Sequence, residues 1–333
     1  MKYELKKNKI IIEGKEDFNI SHILECGQIF AYAGNLVYSR GEKAVINETE
    51  KGFEIDCTDE KYFENFFDLT TDYTKIKKEL FKSELLKKPI QFGYGIRILK
   101  NDIFETIISF IISANNNIKR IQLILSRMRE ALGENKGDYF AFPTYKKLLS
   151  VSEEFFKNIG CGYRASYLYK LLRQIDINEI YEWKNLPTET LRNKLITLSG
   201  IGPKVADCIL LFGYGKLDVF PVDTWINQMY NQYYYKENNR NIIRKNLTKE
   251  FGKLSGYAQQ YLFYWQRSAE NKEWEITLFL TINTKNSAYT LFFQIGYLQM
   301  RPFVLEYSHK ETRKWSSFNF GQECHGLLSY CFV

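Results

Sequence analysis

The chain has 333 residues, 45% of them hydrophobic and 16% aromatic, with 46 Lys and Arg against 39 Asp and Glu for a net charge of +7. This supports a real core in one large or two modest domains, and the charge permits a polyanionic partner without requiring one. No apolar run reaches the ~18 residues of a membrane span, and Met1-Lys2-Tyr3-Glu4-Leu5-Lys6-Lys7 lacks the apolar stretch of a secretory signal, so a cytoplasmic protein is expected.

Residues 1–95 read as strand-rich. Lys9-Ile10-Ile11-Ile12-Glu13, Leu36-Val37-Tyr38-Ser39, Ala44-Val45-Ile46-Asn47 and Phe53-Glu54-Ile55-Asp56 are short β-branched or alternating runs punctuated by glycine. They predict an antiparallel sheet, followed by a helix or two over 60–88. Residues 96–270 read as all-α with short connections. Apolar spacing predicts helices over 103–113, 118–132, 145–157, 165–174, 188–198, 205–212, 224–233, 242–251 and 256–268. Residues 271–333 carry strand-like runs such as Ile276-Thr277-Leu278-Phe279-Leu280 but no motif. A small appended domain, a poorly ordered tail and a non-native extension of the reading frame all fit. The fold class is therefore α+β, a sheet domain followed by a helical domain.

The chemistry available is restricted. Cys26, Cys57, Cys161, Cys208, Cys324 and Cys331 form no C-x-x-C and have no zinc or iron–sulfur spacing, so free thiols and no metal or organic cofactor are expected. With only His22, His309 and His325, a Ser/His or Cys/His hydrolase is poorly supplied, and no P-loop occurs.

The informative stretch is Leu198-Ser199-Gly200-Ile201-Gly202-Pro203-Lys204-Val205-Ala206-Asp207-Cys208. A helix ends, a Gly-x-Gly hairpin follows, and a second helix starts at proline, which suits the first helical position. Exposed N–H groups at that positive helix end suit a phosphate. Lys204, in the first turn and partly desolvated, is expected to have a depressed pKa and to act as an amine nucleophile; a solvated phosphate contact is the plainer alternative. Further along, Asp223 in Phe220-Pro221-Val222-Asp223-Thr224-Trp225 reads as an N-cap, or as an acid stabilising positive charge beside the amine. Lys204 and Cys208 share one helical face, as do Gln259 and Phe263.

With these residues the chain resembles the helix-hairpin-helix DNA glycosylases, and within them the 8-oxoguanine DNA glycosylases, over roughly residues 17–268. The resemblance implies that Lys204 is the nucleophilic lysine of a bifunctional glycosylase and abasic-site lyase, with Asp223 its catalytic aspartate. It further implies that Cys26-Gly27-Gln28-Ile29-Phe30 is the loop whose glycine carbonyl meets the base, and that Ser113-Ala114-Asn115-Asn116-Asn117-Ile118-Lys119-Arg120 fills the vacated stack. Gly160-Cys161-Gly162-Tyr163-Arg164-Ala165 is similar to the wedge and opposite-base reader, and Tyr257-Ala258-Gln259-Gln260-Tyr261-Leu262-Phe263 to the recognition helix. Oxidised guanine carries a proton on N7 where guanine has a lone pair. The Gly27 carbonyl would accept from the lesion and oppose guanine, a mismatch costing about 1–3 kcal/mol. Gln259 would read the Watson–Crick edge, with Phe263 and Cys208 on the two ring faces. Asn115, Arg120, Tyr163 and Arg164 would handle the gap and the opposite cytosine; Gly200, Gly202 and Trp225 would meet the backbone. Trp225 stands where many members carry histidine, and indole does not titrate.

The implied partner is damaged double-stranded DNA bound by a monomer, in the nucleoid if the source is bacterial. The alternatives are the same fold acting on other oxidised or alkylated bases, and a non-enzymatic DNA-binding hairpin module.

Overall fold

The computed structural model describes residues 1–269, together with strands at 277–283, 288–294 and 301–305. Residues up to Asn271 form one compact unit and those from Lys272 a second.

In the first unit, β1 (Lys2–Lys6), β2 (Lys9–Glu13), α1 (Ile20–Glu25), β3 (Tyr32–Ala33), β4 (Leu36–Ser39), β5 (Glu42–Thr49) and β6 (Gly52–Cys57) come first. The strands form one antiparallel sheet in the order β1-β2-β6-β5-β4-β3. Its register sets Ile12 beside Phe53, Ile10 beside Ile55, and Ile55 beside Ile46. Period-two alternation thus puts these side chains on one buried face. Phe63 and Phe66 of α2 (Glu60–Phe66), with Phe67, cover that face.

α3 (Tyr73–Leu80) and α4 (Glu84–Phe92) follow, and Tyr73, Leu80, Leu86 and Ile90 are buried with the helical core. The remaining helices are α5 (Ile103–Ser113), α6 (Ile118–Leu132), α7 (Tyr145–Leu149), α8 (Glu153–Asn158), α9 (Arg164–Gln174), α10 (Ile177–Glu182), α11 (Thr188–Ile196), α12 (Pro203–Phe212), α13 (Thr224–Tyr233), α14 (Arg240–Phe251) and α15 (Ser255–Ala269). The second unit carries the antiparallel strands β7 (Thr277–Asn283), β8 (Ala288–Gln294) and β9 (Arg301–Leu305).

Several expectations need correction. The helix predicted over 145–157 is two helices, because the Ser152 hydroxyl accepts from the Phe155 N–H and starts α8 afresh. Three helices, not one or two, occupy the stretch after the sheet, and α1, α10, β1 and β3 had no expected counterpart. β1 is an edge strand whose Lys-x-Glu-x-Lys face is polar, so its alternation carries little hydrophobic signal. Cys324, Cys331, His309 and His325 lie outside the described residues; Cys26, Cys57, Cys161 and Cys208 are buried free thiols.

Sheet and helices are joined by polar side chains that local sequence does not reveal. Arg97 is wholly buried. It donates to the carbonyls of Asp17 (3.0 Å), Phe67 (2.8 Å), Thr71 (3.1 Å) and Asp68, and lies 4.1 Å from the Tyr73 ring centre. Buried Gln28 donates to the carbonyls of Ile23 (2.9 Å) and Arg97 (2.7 Å) and accepts from the Leu99 N–H (2.8 Å). The loop before β3 is therefore bolted to the strap of chain that leads into α5.

Candidate active site

α11 and α12 enclose the glycine hairpin. Gly200 has φ +82°, and a Cβ on it would lie 2.7 Å from the Tyr167 Cβ, so glycine is required there by both backbone and packing. Gly202 is different. Its φ is −85° and a Cβ would meet nothing within 4 Å. The exposed Gly202 N-caps α12 without a side chain, leaving the helix start open to an anion.

Pro203 opens α12, and half-buried Lys204 follows in its first turn. The Lys204 Nζ lies 5.7 Å from the Phe110 ring centre and hydrogen-bonds to Cys208 one turn on. Asp223 N-caps α13, its carboxylate accepting from the Ile226 N–H (3.0 Å). The N-cap reading of Asp223 is thus met in the structure. Lys204 and Asp223 feel each other's charge, from the starts of two different helices.

The expected depression of the amine is corrected. Burial, the largest influence, pushes Lys204 down. The charges of Cys208 and Asp223 and the hydrogen bond to Cys208 push it up, and the balance lies above the ordinary lysine value. The Cys208 contribution needs a thiolate, and burial holds that thiol at about 11. Burial raises the Asp223 carboxyl, against N–H groups of Ile226 and Trp225 and the Lys204 charge. An ammonium facing a carboxyl of raised basicity can pass its proton and become a nucleophile.

The second half of the site comes from the sheet side. Gly27 has φ +80°, and a Cβ on it would stand 3.1 Å from Phe263 Cε1 and 3.3 Å from Arg267 Nη1. The Arg267 guanidinium lies 5.2 Å from the Phe263 ring centre and donates to the Glu25 carbonyl, tying α15 to the Gly27 loop. One turn back on α15, buried Gln259 donates to the Pro221 carbonyl (3.5 Å) and accepts from Gln260 (2.9 Å). These contacts link the two halves. Gly27 approaches Phe263; Gln259 reaches Pro221, which leads to Asp223; Asp223 lies within electrostatic reach of Lys204. Lys204 neighbours Phe110, and Phe110 packs on Phe30 (5.6 Å), three residues past Gly27. An open cleft of about 730 Å³ borders Phe30 and is lined by Tyr32, Leu123, Arg129 and Tyr139 among others. It contains neither Lys204 nor Asp223, so its size does not make it the reactive site.

A third cluster lies at the loop between α5 and α6. Asn115 is exposed and left-handed (φ +50°). Arg164 points inward: it is buried and donates to the carbonyls of Ala114 (2.8 Å from Nε), Asn115 (2.7 Å) and Cys161 (3.3 Å). Tyr163 is 54% exposed, with Arg164 4.4 Å from its ring centre and Tyr167 edge-on at 5.7 Å. Since Tyr167 also packs on Gly200, the projecting Tyr163 is braced against the hairpin. Exposed Arg120 reaches the Gly160 carbonyl (3.4 Å), and half-buried Trp225 sits in the first turn of α13.

Sequence reasoning missed two features here. Asp207, in the first helix turns after Lys204, is buried and paired with buried Arg192 of α11 (2.8 Å), clamping the two hairpin helices together. Arg240, the first residue of α14, acts on both Lys204 and Asp223. Its signal was available: a cation at a helix N-terminus opposes the helix dipole.

Residues 10–107 match the family described as 8-oxoguanine DNA glycosylase, N-terminal domain, and residues 108–253 match the HhH-GPD superfamily base excision DNA repair proteins. A probable N-glycosylase/DNA lyase of Methanothermobacter thermautotrophicus is 30% identical over 61% of this chain and 72% of its own length. The N-glycosylase/DNA lyase of Saccharomyces cerevisiae is 34% identical, over 46% of each protein. Among solved structures, the Clostridium acetobutylicum 8-oxoguanine glycosylase/lyase bound to double-stranded DNA with cytosine opposite 8-oxoguanine is similar with a TM-score of 0.76. It is 37% identical, over 81% of this chain and 99% of that one.

Proposed function

Because the chain belongs to the 8-oxoguanine DNA glycosylases of the HhH-GPD base excision repair superfamily, we propose that it removes 8-oxoguanine from duplex DNA and then nicks the strand at the abasic site. It is a bifunctional N-glycosylase and DNA lyase, and its partner is damaged double-stranded DNA.

What supports the residue-level reading is the chain of contacts that links one amine, one acid, a left-handed glycine and an aromatic face. In that reading the hairpin backbone at Gly200 and Gly202, with Trp225, engages phosphate. Tyr163 and Asn115 enter the stack and the lesion swings out, at a cost of a few kcal/mol that is least for a damaged base. The Gly27 carbonyl accepts the N7 proton that guanine lacks, Gln259 pairs with the Watson–Crick edge, and Phe263 and Cys208 flank the ring. Asp223 takes the Lys204 proton, passes it to the departing base, and as a carboxylate again stabilises the cationic sugar. The neutral amine bonds to C1′ as the glycosidic bond breaks, its electron pair leaving with the base, which takes up a proton. The C1′–O4′ bond then breaks as a proton moves from the amine to O4′, which opens the sugar and leaves a protonated imine. Loss of a C2′ proton then expels the 3′ phosphate by β-elimination.

Asn115 and Arg120 support a preference for cytosine opposite the lesion, with Arg164 holding the Asn115 loop in shape. The sheet region, residues 1–95, supplies Gly27, and the helical region, residues 96–270, supplies the rest; 271–333 is assigned no part. No helix among the described residues is long and apolar enough to cross a membrane. We place the protein as a monomer in the cytoplasm, with the nucleoid if bacterial.

Borohydride trapping on an 8-oxoguanine·cytosine duplex tests the reading. Wild type gives a covalent adduct, and Lys204→Gln gives none. An undiminished adduct in the variant, or none in wild type, rejects the lysine assignment.

A further inference from the structure

Arg240 is exposed in the first turn of α14, a position where the helix dipole disfavours a cation, and no acidic residue accompanies it there. Among the described residues no carboxylate ion-pairs with it directly; its Nη2 makes a weak hydrogen bond to the Thr224 hydroxyl at 3.5 Å. Thr224 follows Asp223 directly and is exposed at the start of α13. The guanidinium is thus held loosely at the rim of the reactive pair, on the solvent side, from a third helix. Its charge reaches both members, disfavouring the ammonium of Lys204 and favouring the carboxylate of Asp223.

A fork of donors that opposes a helix dipole, makes no direct ion pair among the described residues and faces solvent has room for an anion. The substrate supplies one. The strand that delivers a nucleotide to Lys204 brings phosphodiester charges with it, and a planar guanidinium binds phosphate through two parallel hydrogen bonds. An unneutralised phosphate beside Lys204 would hold that amine as the unreactive ammonium. We propose that Arg240 is a positioning residue that grips a backbone phosphate flanking the extruded nucleotide and cancels its charge, so that Lys204 can give up its proton once DNA is bound. The proposal rests on the reading of Lys204 and Asp223 as the reacting pair.

The test uses full-length wild type, Arg240→Gln and Arg240→Lys on an 8-oxoguanine·cytosine duplex. The first measurement is the salt dependence of binding. Loss of one phosphate contact lowers the slope of log K against log salt by about 0.9 in Arg240→Gln and leaves it in Arg240→Lys. The second is the pH profile of single-turnover borohydride trapping. Arg240→Gln traps roughly tenfold more slowly near neutral pH, for a displacement of the amine by about one pH unit, and the deficit closes as pH rises. Arg240→Lys keeps most of the wild-type profile. A merely structural role for the start of α14 would lower the melting temperature without moving either readout.

An unchanged salt slope overturns the proposal. So does a reduced slope with a rate deficit that is constant across pH, which would leave Arg240 a passive DNA contact. A wild type that binds DNA but traps no adduct at any pH instead overturns the assignment of Lys204 itself, and the salt measurement still reports on the phosphate contact.

Discussion

Replacing Gly27 by alanine separates lesion reading from strand cleavage. Its φ of +80° is left-handed, costing an L-residue about 1–2 kcal/mol. The new Cβ would stand 3.1 Å from Phe263 Cε1 and 3.3 Å from Arg267 Nη1, both on one turn of α15. Those contacts are too close, so the Phe263 ring or the Gly27 backbone must shift by a few tenths of an ångström. Gln28 is bonded to the Ile23 and Arg97 carbonyls and to the Leu99 N–H, so the loop gives little and the ring moves. The carbonyl-to-N7 hydrogen bond and the stacking face are then misaligned together. Losing about 1–3 kcal/mol of base recognition corresponds to about 5- to 150-fold slower excision of 8-oxoguanine. A preformed abasic site has no base to read, so its cleavage by Gly27→Ala stays within about threefold of wild type. The assay is single-turnover cleavage of two duplexes, one with 8-oxoguanine and one with an abasic site, with a thermal melt to confirm folding. Equal loss on both substrates, or no loss on the lesion, refutes the reasoning.

The two hairpin glycines separate in the same way. Gly200→Ala lowers stability, because its Cβ collides with Tyr167 at 2.7 Å in a left-handed backbone. Gly202→Ala, with φ −85° and open space around it, leaves the melting temperature unchanged yet weakens binding to damaged and undamaged duplex alike, roughly tenfold by fluorescence anisotropy. A Gly202→Ala variant that binds normally removes the hairpin backbone from the interface. Arg97→Met strands the carbonyls of Asp17, Phe67, Asp68 and Thr71 and costs about 3–5 kcal/mol in urea unfolding; a loss under 1 kcal/mol contradicts the clamp. Burial, more than the opposing bond to Arg192, raises the Asp207 carboxyl from 3.8 to about 6. A carboxyl raised on folding contributes stability that is complete below its unfolded value and lost as pH climbs to about 6, a change of about 3 kcal/mol. The unfolding free energy of wild type relative to Asp207→Asn therefore falls between pH 4 and 6; a flat or rising difference refutes the assignment.

Much of this was legible in the sequence because it is local. The Gly200-Ile201-Gly202-Pro203-Lys204 turn follows from glycine and proline backbone preferences, and the shared faces of Lys204 with Cys208 and of Gln259 with Phe263 follow from 3.6 residues per turn. Alternation in β2, β5 and β6 foretold the sheet, whereas polar β1 and the Ser152 restart of α8 carried too weak a periodic signal. Tertiary structure decided what depends on distance between residues remote in the chain. It set the Gly27 loop against α15, 236 positions away at Phe263, and turned Arg164 inward onto loop carbonyls. It also reversed the expected direction of the Lys204 shift. Burial argues for a weaker base, and Arg240, from another helix, adds to it; Cys208, one turn along α12, and Asp223, from another helix, together outweigh them. Coulomb interactions fall with separation in space, not in sequence, so the protonation of this amine belongs to the folded arrangement.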